Sequence, residues 1–475
     1  MRALFATPEC APLTKTGGLG DVSAALPAAL RAQGYDVRVL LPGYGAVLAG
    51  LPGAREVAQL ALLGVQSRLL EAGDFFVLDC AELYRRDGGP YQNPQGEDWP
   101  DNPRRFGLLS RVAALLGGDA SPLAWRPQVV HCNDWPCGLA PVYLSLEENR
   151  AAAVMTVHNL AFQGVFDASW QQPLELSAAT FSIEGVEFHG RLSFLKGGLA
   201  YADEITTVSP TYAKEIQTEP LGCGLDGLIR ARREQLSGIA NGIDTEAWDP
   251  ERDPRIAQRY GPRTLERKSA NKEALQRRLG LAVDAGVPLL GTVCRFTGQK
   301  GIDLIAAAAG ELLAIPAQLA VLGTGERQHE AALRALAGRH PGAAAVVVGF
   351  DEDLSHLIEA GADVFLMPSR FEPCGLNQMY SQRYGTLPVA HATGGLVDTV
   401  RDGETGFLFE RAESGELAGA VRRALAVWRD VRRWREMQRQ AMAREFGWAG
   451  PARQYAELYA RLVRPRPRGP ARTDA

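Results

Sequence analysis

Short apolar runs alternate with longer amphipathic stretches through the first half of the chain. Short apolar runs bounded by turn residues are typical of buried strands, and the amphipathic stretches are typical of helices that cover a sheet. Regular alternation of the two predicts a doubly wound parallel sheet in an α/β protein. The predicted strands are Ala3 to Thr7, Asp36 to Leu41, Gln128 to Cys132, Ala153 to Val157 and Glu204 to Val208.

Near Ile239 this pattern gives way to a turn and a polar, proline-punctuated stretch that runs to about Pro262. A chain of 475 residues exceeds what one hydrophobic core organises, so we place a domain junction here. A second alternating series follows and predicts another sheet of the nucleotide-binding type. Its strands are Leu289 to Cys294, Gln318 to Leu322, Ala345 to Val348, Val364 to Met367 and Pro388 to Ala390.

The segment Lys-Thr-Gly-Gly-Leu-Gly-Asp at 15–21 follows the first predicted strand. We expect a helix to begin near Asp21, with Asp21 as its acidic N-cap. Glycines such as Gly17 and Gly18 let an anion approach the main chain, and Lys15 adds a positive charge. The segment therefore predicts a phosphate or nucleotide-sugar site, with an ordinary glycine-rich turn as the alternative. Because the lysine precedes the glycines, it is neither a P-loop nor a dinucleotide fingerprint.

In the second half, Arg295 and Lys300 flank the loop after the first strand, before a helix that we expect to start near Ile302. Two cations at this point can neutralise the charge that develops on a diphosphate leaving group without a metal ion. The alternative is a pair of solvated surface charges.

Another polar segment, Pro-Ser-Arg-Phe-Glu-Pro-Cys-Gly-Leu, follows the strand at 364–367. Glu372 suits binding of sugar hydroxyls or stabilisation of a positively charged glycosyl transition state. Exposed amides at a helix N-terminus suit a phosphate, and we expect them at Cys374, Gly375 and Leu376. Downstream, Thr393 and Gly394 open a further helix and allow a second close approach of a ligand.

Composition narrows the class of protein. A net charge of −4 and a pI near 6.1 give no electrostatic footprint for nucleic acid. No secretory signal or bilayer-length apolar run is evident, so we expect a soluble cytoplasmic protein without a membrane partner. The seven scattered cysteines indicate reduced thiols. His131, Cys132 and Cys137 lack the ligand spacing of a zinc site, so we expect packing and no metal.

Taken together, the motifs resemble those of the bacterial glycogen synthase and plant starch synthase family of retaining glucosyltransferases. The resemblance covers almost the whole chain. It rests on the segments at 15–21, 131–135, 156–160, 194–199 and 241–244, on Arg295 with Lys300, and on the segments at 368–376 and 393–396.

The resemblance implies a GT-B fold, in which two Rossmann-like domains face each other across a deep cleft. The acceptor domain is expected at 1–240 and the nucleotide-sugar domain at 241–450. A crossover helix at 451–463 is expected to return to the first domain, since Tyr455, Leu458, Tyr459 and Leu462 recur at helical spacing. We expect a disordered tail at 464–475, where proline and arginine alternate.

By motif position, the family's catalytic roles fall on Glu372, Arg295, Lys300, His158 and Lys15. Arg295 and Lys300 are implied to bind the donor diphosphate, Phe350 to stack on adenine, and His158 to hold the sugar. The implied substrate-binding residues are Lys15, Gly17, Gly18, Asp21, Asp134, Asn159, Asn241, Phe350, Cys374, Gly375, Leu376, Thr393 and Gly394.

The implied reaction transfers glucose from ADP-glucose to the non-reducing 4-hydroxyl of an α-1,4-glucan such as glycogen, with retention and without metal or pyridoxal phosphate. The resemblance leaves room for a homo-oligomer. Two positions depart from the family's broader pattern: Tyr380 stands where many related enzymes have a second glutamate, and His391 stands where arginine is frequent. The alternatives are a relative that uses UDP-glucose or makes maltosyl phosphate, a pyridoxal-dependent phosphorylase, and a silent glucan-binding protein.

Overall fold

The computed structural model describes residues 1–463, so the tail expected at 464–475 lies outside the described residues. The chain divides into two compact units. The first contains Met1–Val208, Ala213–Asn241 and the described residues from Trp448 onward. The second contains Ser209–Tyr212 and Gly242–Gly447.

Nine strands of the described chain form the main sheet of the first unit, in the order β12-β11-β7-β6-β1-β2-β5-β4-β3. It is parallel except at β3 and β4, and a small antiparallel sheet is formed by β8, β10 and β9. The strands are β1 Arg2–Ala6, β2 Asp36–Pro42, β3 Arg55–Leu62, β4 Val65–Ala72, β5 Phe75–Asp79, β6 Val129–Asn133, β7 Ala152–Val157, β8 Val165–Phe166, β9 Glu187–Phe188, β10 Arg191–Ser193, β11 Glu204–Thr207 and β12 Leu236–Gly238.

The helices before residue 241 are α1 Gly18–Ala32, α2 Gly45–Gly50, α3 Ala81–Tyr84, α4 Asn102–Gly117, α5 Leu139–Leu144, α6 Phe194–Tyr201, α7 Pro210–Glu215 and α8 Asp226–Ala231. The five strands that the sequence pattern predicts here are all confirmed as β1, β2, β6, β7 and β11. The hairpin β3–β4 and strand β5 were not predicted. The hairpin turns at Leu63 and Gly64, both at positive φ, and only the glycine gives a turn signal in the sequence.

Six described strands form the parallel sheet of the second unit, in the order β15-β14-β13-β16-β17-β18. Counted from its first strand this is 3-2-1-4-5-6, the order of a Rossmann fold, and the five predicted strands are confirmed. The strands are β13 Leu289–Phe296, β14 Gln318–Gly325, β15 Ala344–Val348, β16 Val364–Met367, β17 Leu387–His391 and β18 Phe407–Phe409. The helices are α9 Lys268–Leu279, α10 Ile302–Ala314, α11 Arg327–Arg339, α12 Glu352–Gly361, α13 Asn377–Arg383, α14 Gly394–Thr399, α15 Ser414–Trp428 and α16 Val431–Met442.

The last described helix, α17 Ala449–Val463, belongs to the first unit although it follows the second in sequence. Tyr455 and Tyr459 are buried in the same core as Phe5 of β1. The Tyr459 hydroxyl lies 2.6 Å from Nδ1 of His131, whose Nε2 lies 2.5 Å from Oγ1 of Thr156. This buried chain of polar contacts fixes the helix against β6 and β7, because an unpaired polar group there would be costly.

Candidate functional site

Strands β13 and β16 are neighbours in the sheet of the second unit, and each is followed by one of the predicted polar segments. The connections from these two neighbouring strands run to opposite sides of the sheet, because β13 is followed by β14 on one side and β16 by β17 on the other. In open α/β sheets such a topological switch point leaves a crevice at the carboxyl ends of the strands. Lys300 follows β13, and Glu372 follows β16.

Lys300 and Glu372 are in direct contact: Lys300 Nζ lies 2.5 Å from Glu372 Oε2. The Ser369 hydroxyl donates to the same oxygen at 2.9 Å. The side chains of Lys300 and Glu372 are 20% and 6% exposed. Both of these contacts are made to Oε2 of Glu372. A lysine and a serine side chain thus fix the position of this buried carboxylate.

Two glycines allow the backbone around this pair to pack closely. Gly301 has φ +64, and a Cβ there would lie 2.0 Å from the Pro368 carbonyl oxygen. Gly394 has φ +46, and its Cβ would lie 1.9 Å from the Glu372 carbonyl oxygen. Side chains at either position would be strained by the backbone and would collide with it. Gly394 also confirms the prediction that α14 begins at 393–394, with Thr393 as its N-cap residue.

Sequence reasoning missed Arg370, which joins the two loops. Its guanidinium pairs with Asp303 at 2.6 Å and donates to the Gly298 carbonyl at 2.6 Å. The Arg370 amide donates to the Gln299 carbonyl at 2.8 Å. The segment after β16 is thereby tied to the start of α10, which begins at Ile302 as predicted. Arg370 lies within the segment at 368–376, but nothing in its local sequence identifies Asp303 or the Gly298 carbonyl as its partners.

The other predicted residues of the second unit differ in accessibility. Arg295 is exposed, and no described side chain forms an ion pair with it. Phe350 follows β15 and is 90% exposed. The predicted run of exposed amides at a helix N-terminus is found only in part. Cys374 is only 5% exposed, and α13 begins later than predicted, at Asn377. Gly375 and Leu376 are half-buried.

His391 holds the segment that carries Glu372. Its Nδ1 lies 2.8 Å from the Ser369 carbonyl oxygen, and its Nε2 lies 3.2 Å from the Glu410 carbonyl oxygen. The ring thus links the end of β17 to the loop after β16.

In the first unit, the glycine-rich segment at 15–21 lies between β1 and α1 and includes the first residues of that helix. The helix begins at Gly18 with Gly17 as N-cap, so the prediction of Asp21 as N-cap is wrong. Asp21 lies in the first turn and pairs with Lys15, whose Nζ is 2.8 Å from Asp21 Oδ1. Two glycines in the segment make an earlier helix start possible than the polar Asp21 suggested.

The amides of this segment are partly occupied by a carboxylate of the protein itself. Glu9 Oε2 accepts hydrogen bonds from the Thr16 amide at 2.5 Å and the Gly17 amide at 3.2 Å. Sequence analysis missed Glu9, because a lone glutamate after a strand carries no distinctive signal. Two amides of the predicted anion-binding segment are thus occupied by the protein's own Glu9 carboxylate.

Asp134 and His158 lie at the ends of neighbouring strands β6 and β7. Asp134 Oδ1 accepts from the His158 amide at 2.7 Å, and burial raises the pKa of this carboxyl to about 7. Asp134 has φ 54 and ψ −178, a backbone conformation that residues other than glycine rarely adopt. Such strained residues are often found at functional sites.

His158 has a defined protonation state. Burial lowers its pKa to about 3, so the ring is neutral at physiological pH. Its Nε2 lies 3.0 Å from Oδ1 of Asn133, and the Asn133 amide nitrogen donates to the Ala6 carbonyl. Because that assignment leaves Oδ1 as acceptor, Nε2 carries the proton and Nδ1 retains a lone pair.

Asn159 and Asn241 complete the predicted residues of the first unit. Asn159 Oδ1 accepts from the Ala161 amide at 3.1 Å, as in an Asx turn. Asn241 is 9% exposed, and its Oδ1 has no hydrogen-bond partner among residues 1–463.

The part of the chain that the structure describes contains no cluster of three His, Cys, Asp or Glu side chains that could hold a metal ion. Cys132 and Cys137 are buried as free thiols. No helix among residues 1–463 has the length and apolar character needed to cross a membrane.

Two protein-family models match the chain, one in the region of the first unit and one in the region of the second. Residues 2–231 match the starch synthase catalytic domain family, and residues 278–441 match glycosyl transferases group 1. The chain is 52% identical to a glycogen synthase of Nitrosospira multiformis and 55% identical to one of Aromatoleum aromaticum, over 97% of each chain.

Among solved structures, the chain is similar to the catalytic domain of starch synthase IV from Arabidopsis thaliana, bound to ADP and acarbose. The TM-score is 0.85 at 30% identity, covering 97% of this chain and 99% of that one. Sucrose-phosphate synthase from Thermosynechococcus elongatus shares the fold, with a TM-score of 0.61 at 20% identity over 97% and 98% of the two chains. The chain has the GT-B type of fold and belongs to the glycogen and starch synthase family of glucosyltransferases.

Proposed function

We propose that the chain transfers glucose from ADP-glucose to the 4-hydroxyl at the non-reducing end of an α-1,4-glucan, with retention of configuration. The observation that carries this proposal is the Lys300–Glu372 pair at the topological switch point of the second unit. The similarity to a starch synthase structure that contains ADP supports adenosine diphosphate as the nucleotide of the donor.

In this proposal the second unit binds the donor. Lys300 retains two further N–H donors besides the one directed at Glu372, and Arg295 is exposed, so both suit a diphosphate. The exposed ring of Phe350 suits stacking on adenine. Gly375 and Leu376 follow Glu372 in the same segment, and Gly394 packs against the Glu372 carbonyl. Together with Thr393, their amides would contact the sugar or phosphates. Cys374 contributes through its backbone.

Glu372 acts by electrostatic stabilisation in this scheme. Its Oε2 is held by Lys300 and Ser369, and a carboxylate fixed in this way suits sugar hydroxyls as hydrogen-bond donors. We propose a front-side substitution in which the bond from glucose to the diphosphate breaks as the acceptor oxygen bonds to the same face. The leaving phosphate takes the acceptor proton, and fixed charges stabilise the separating ion pair.

The first unit contributes further groups to turnover. Lys15 is 50% exposed and would exchange Asp21 for a donor phosphate. Gly17 would act through its open space, since nothing lies within 4 Å of a Cβ built there, and Gly18 through its amide. Neutral His158 is suited to holding a sugar by its Nδ1 or its carbonyl. Asp134, Asn159 and Asn241 offer further contacts to sugar hydroxyls.

The test is incorporation of labelled glucose into glycogen from ADP-glucose and from UDP-glucose at matched concentrations. We expect transfer from ADP-glucose, unchanged by EDTA, from protein that shows no pyridoxal absorption. Preferential transfer from UDP-glucose would overturn the donor assignment, and absence of transfer from both would indicate a silent glucan-binding protein.

A further inference from the structure

The glycine-rich segment of the first unit is built around one buried carboxylate. Glu9 is 3% exposed, and its Oε2 accepts from the amides of Thr16 and Gly17. No lysine, arginine or histidine side chain among residues 1–463 forms an ion pair with it. A buried carboxylate is costly unless its oxygens are well supplied with donors, so these N–H groups are essential partners.

Tyr91 supplies the third donor. Its hydroxyl donates to Glu9 Oε1 at 2.5 Å. Burial raises the pKa of the Tyr91 phenol well above its ordinary value, which keeps the proton on the hydroxyl. The tyrosine is itself fixed by α4, because Asn102 donates to its carbonyl at 2.9 Å and its ring centroid lies 5.8 Å from that of Phe106.

These contacts determine which backbone amides of the segment remain available to a nucleotide-sugar donor. The amides of Thr16 and Gly17 are occupied by Glu9, whereas those of Gly18 and Leu19 belong to the first turn of α1, where intrahelical partners are lacking. The orientation of Lys15, next to Thr16, depends on the same backbone. An internal anion thereby shapes the segment before any ligand arrives.

We propose that Glu9, anchored by Tyr91, is a positioning residue that fixes segment 15–18 in the shape that presents Lys15 and the first amides of α1 to the donor. This inference rests on the proposed function, in which Lys15 contacts donor phosphates. Glu9 itself does not touch substrate in this scheme.

The variants separate positioning from stability. Glu9→Ala removes all three contacts, and we expect kcat/KM for the donor to fall up to roughly 10²-fold, as small misplacements of binding groups do. Glu9→Gln keeps an acceptor for the two amides and can receive Tyr91 in reversed sense, so it should restore most of the activity. Tyr91→Phe should give a loss between the two. The glucan KM should stay unchanged in each.

The matched control is Tyr84→Phe, which removes another buried hydroxyl of this unit, bonded to the Arg105 carbonyl at 2.6 Å. We expect it to lower the unfolding midpoint about as much as Tyr91→Phe and to leave donor kinetics within about twofold. Should Glu9→Ala fail to fold, Glu9→Gln and Tyr91→Phe carry the same comparison.

A double-mutant cycle with Lys15→Ala gives the deciding measurement. If Glu9 positions Lys15, removal of Lys15 costs much less activity in the Glu9→Ala or Tyr91→Phe background than in the wild type. Equal costs in both backgrounds would overturn the proposal.

Hydrogen exchange at Thr16 and Gly17 distinguishes this failure from failure of the proposed function. Exchange should accelerate in Glu9→Ala, which removes the acceptor of both amides, and not in Tyr84→Phe, whatever the nucleotide sugar is. If the wild type transfers glucose from neither nucleotide sugar, the same cycle is measured on ADP affinity. Unchanged exchange, together with additive effects of the Glu9 and Lys15 substitutions, would contradict the positioning role of Glu9 and leave the proposed function intact.

Discussion

Each unit contains a lysine–carboxylate pair at its candidate site, and the two pairs differ in burial. Lys15 and Asp21 are 50% and 33% exposed, whereas Lys300 and Glu372 are 20% and 6% exposed. An exposed pair contributes little to stability and exchanges readily for a ligand, whereas breaking a buried pair leaves an uncompensated charge. The same two chemical groups therefore form an exposed, weakly stabilising contact in the first unit and a buried, fixed part of the structure in the second.

The largest effect is expected for Lys300→Ala. We expect kcat/KM to fall roughly 10²–10³-fold, because a preorganised charge is lost. Stability should fall by about 3 kcal/mol, the lower end for a broken buried pair, since Lys300 is partly solvated. Initial rates and urea unfolding measure the two losses. Lys272→Ala is the control, since Lys272 pairs with Asp363 at 2.7 Å at similar burial. If both variants lost activity equally, instability would explain the loss.

Glu372→Gln removes the charge of the other member of the buried pair. We expect a similar fall in kcat/KM, because the side chain no longer carries negative charge toward the sugar. Stability should fall less than in Lys300→Ala, since the remaining lysine is the more exposed partner and retains water. Urea unfolding of both variants and the wild type checks this, because it gives the loss of unfolding free energy in each variant. A larger loss in Glu372→Gln would contradict the assignment of Glu372 as the desolvated member.

The fold was largely predictable from sequence, because buried parallel strands leave short apolar runs that period and length identify. The hairpin β3–β4 was missed because its strands are half-exposed and polar, with Arg55, Gln59 and Arg68 among their residues. Strand β5 was missed although it is apolar. No single-sequence pattern distinguishes such a strand from a short buried helix.

The candidate site was predictable only where a motif carries its own chemistry. Lys15, Lys196 and Lys300 all lie near glycines, yet Lys196 donates its amine to the carbonyls of Ile183 and Glu187 and is structural. Glu9 and Arg370 were missed because their partners are backbone groups or residues far along the chain. Burial and long-range hydrogen bonding decide such roles, and neither is written in local spacing.

Gly394→Ala tests whether the packing around Glu372 matters as much as its charge. The new Cβ would lie 1.9 Å from the Glu372 carbonyl oxygen at a residue with φ +46. We expect a loss of stability of about 1–3 kcal/mol and weaker donor binding as the loop shifts. Thermal unfolding and donor KM are the measurements.

Gly310→Ala is the control for that variant, since nothing lies within 4 Å of its Cβ position in α10. We expect a gain of about 0.5–1 kcal/mol there. An equally harmless Gly394→Ala would show that the loop around Glu372 tolerates displacement, and the contrast between the units would then rest on charge alone.

Asp134→Asn asks whether the first unit also contains a buried charge that matters. Burial raises the pKa of Asp134 from 3.8 to about 7, so between these values the folded state holds a proton that the unfolded chain releases. The contribution of Asp134 to stability therefore falls as pH rises from about 4 to 7.

Asparagine has no such proton, while its Oδ1 still accepts from the His158 amide. We expect the variant to gain stability relative to wild type by on the order of 2 kcal/mol across this window, allowing for partial screening. Unfolding midpoints at several pH values between 4 and 8 measure it. A difference independent of pH would refute a raised pKa at Asp134.

The smallest effect is expected for Asp21→Asn, at the exposed pair. Removing the charge partner of Lys15 should change the free energy of unfolding by less than about 1 kcal/mol, because water replaces the lost contact on both sides. Urea unfolding beside Lys300→Ala gives the contrast directly. A loss comparable with that variant would mean that Lys15 is held by its carboxylate as firmly as Lys300 is. Lys15 could then not release Asp21 for a phosphate, and the distinction between an exchangeable pair and a fixed one would disappear.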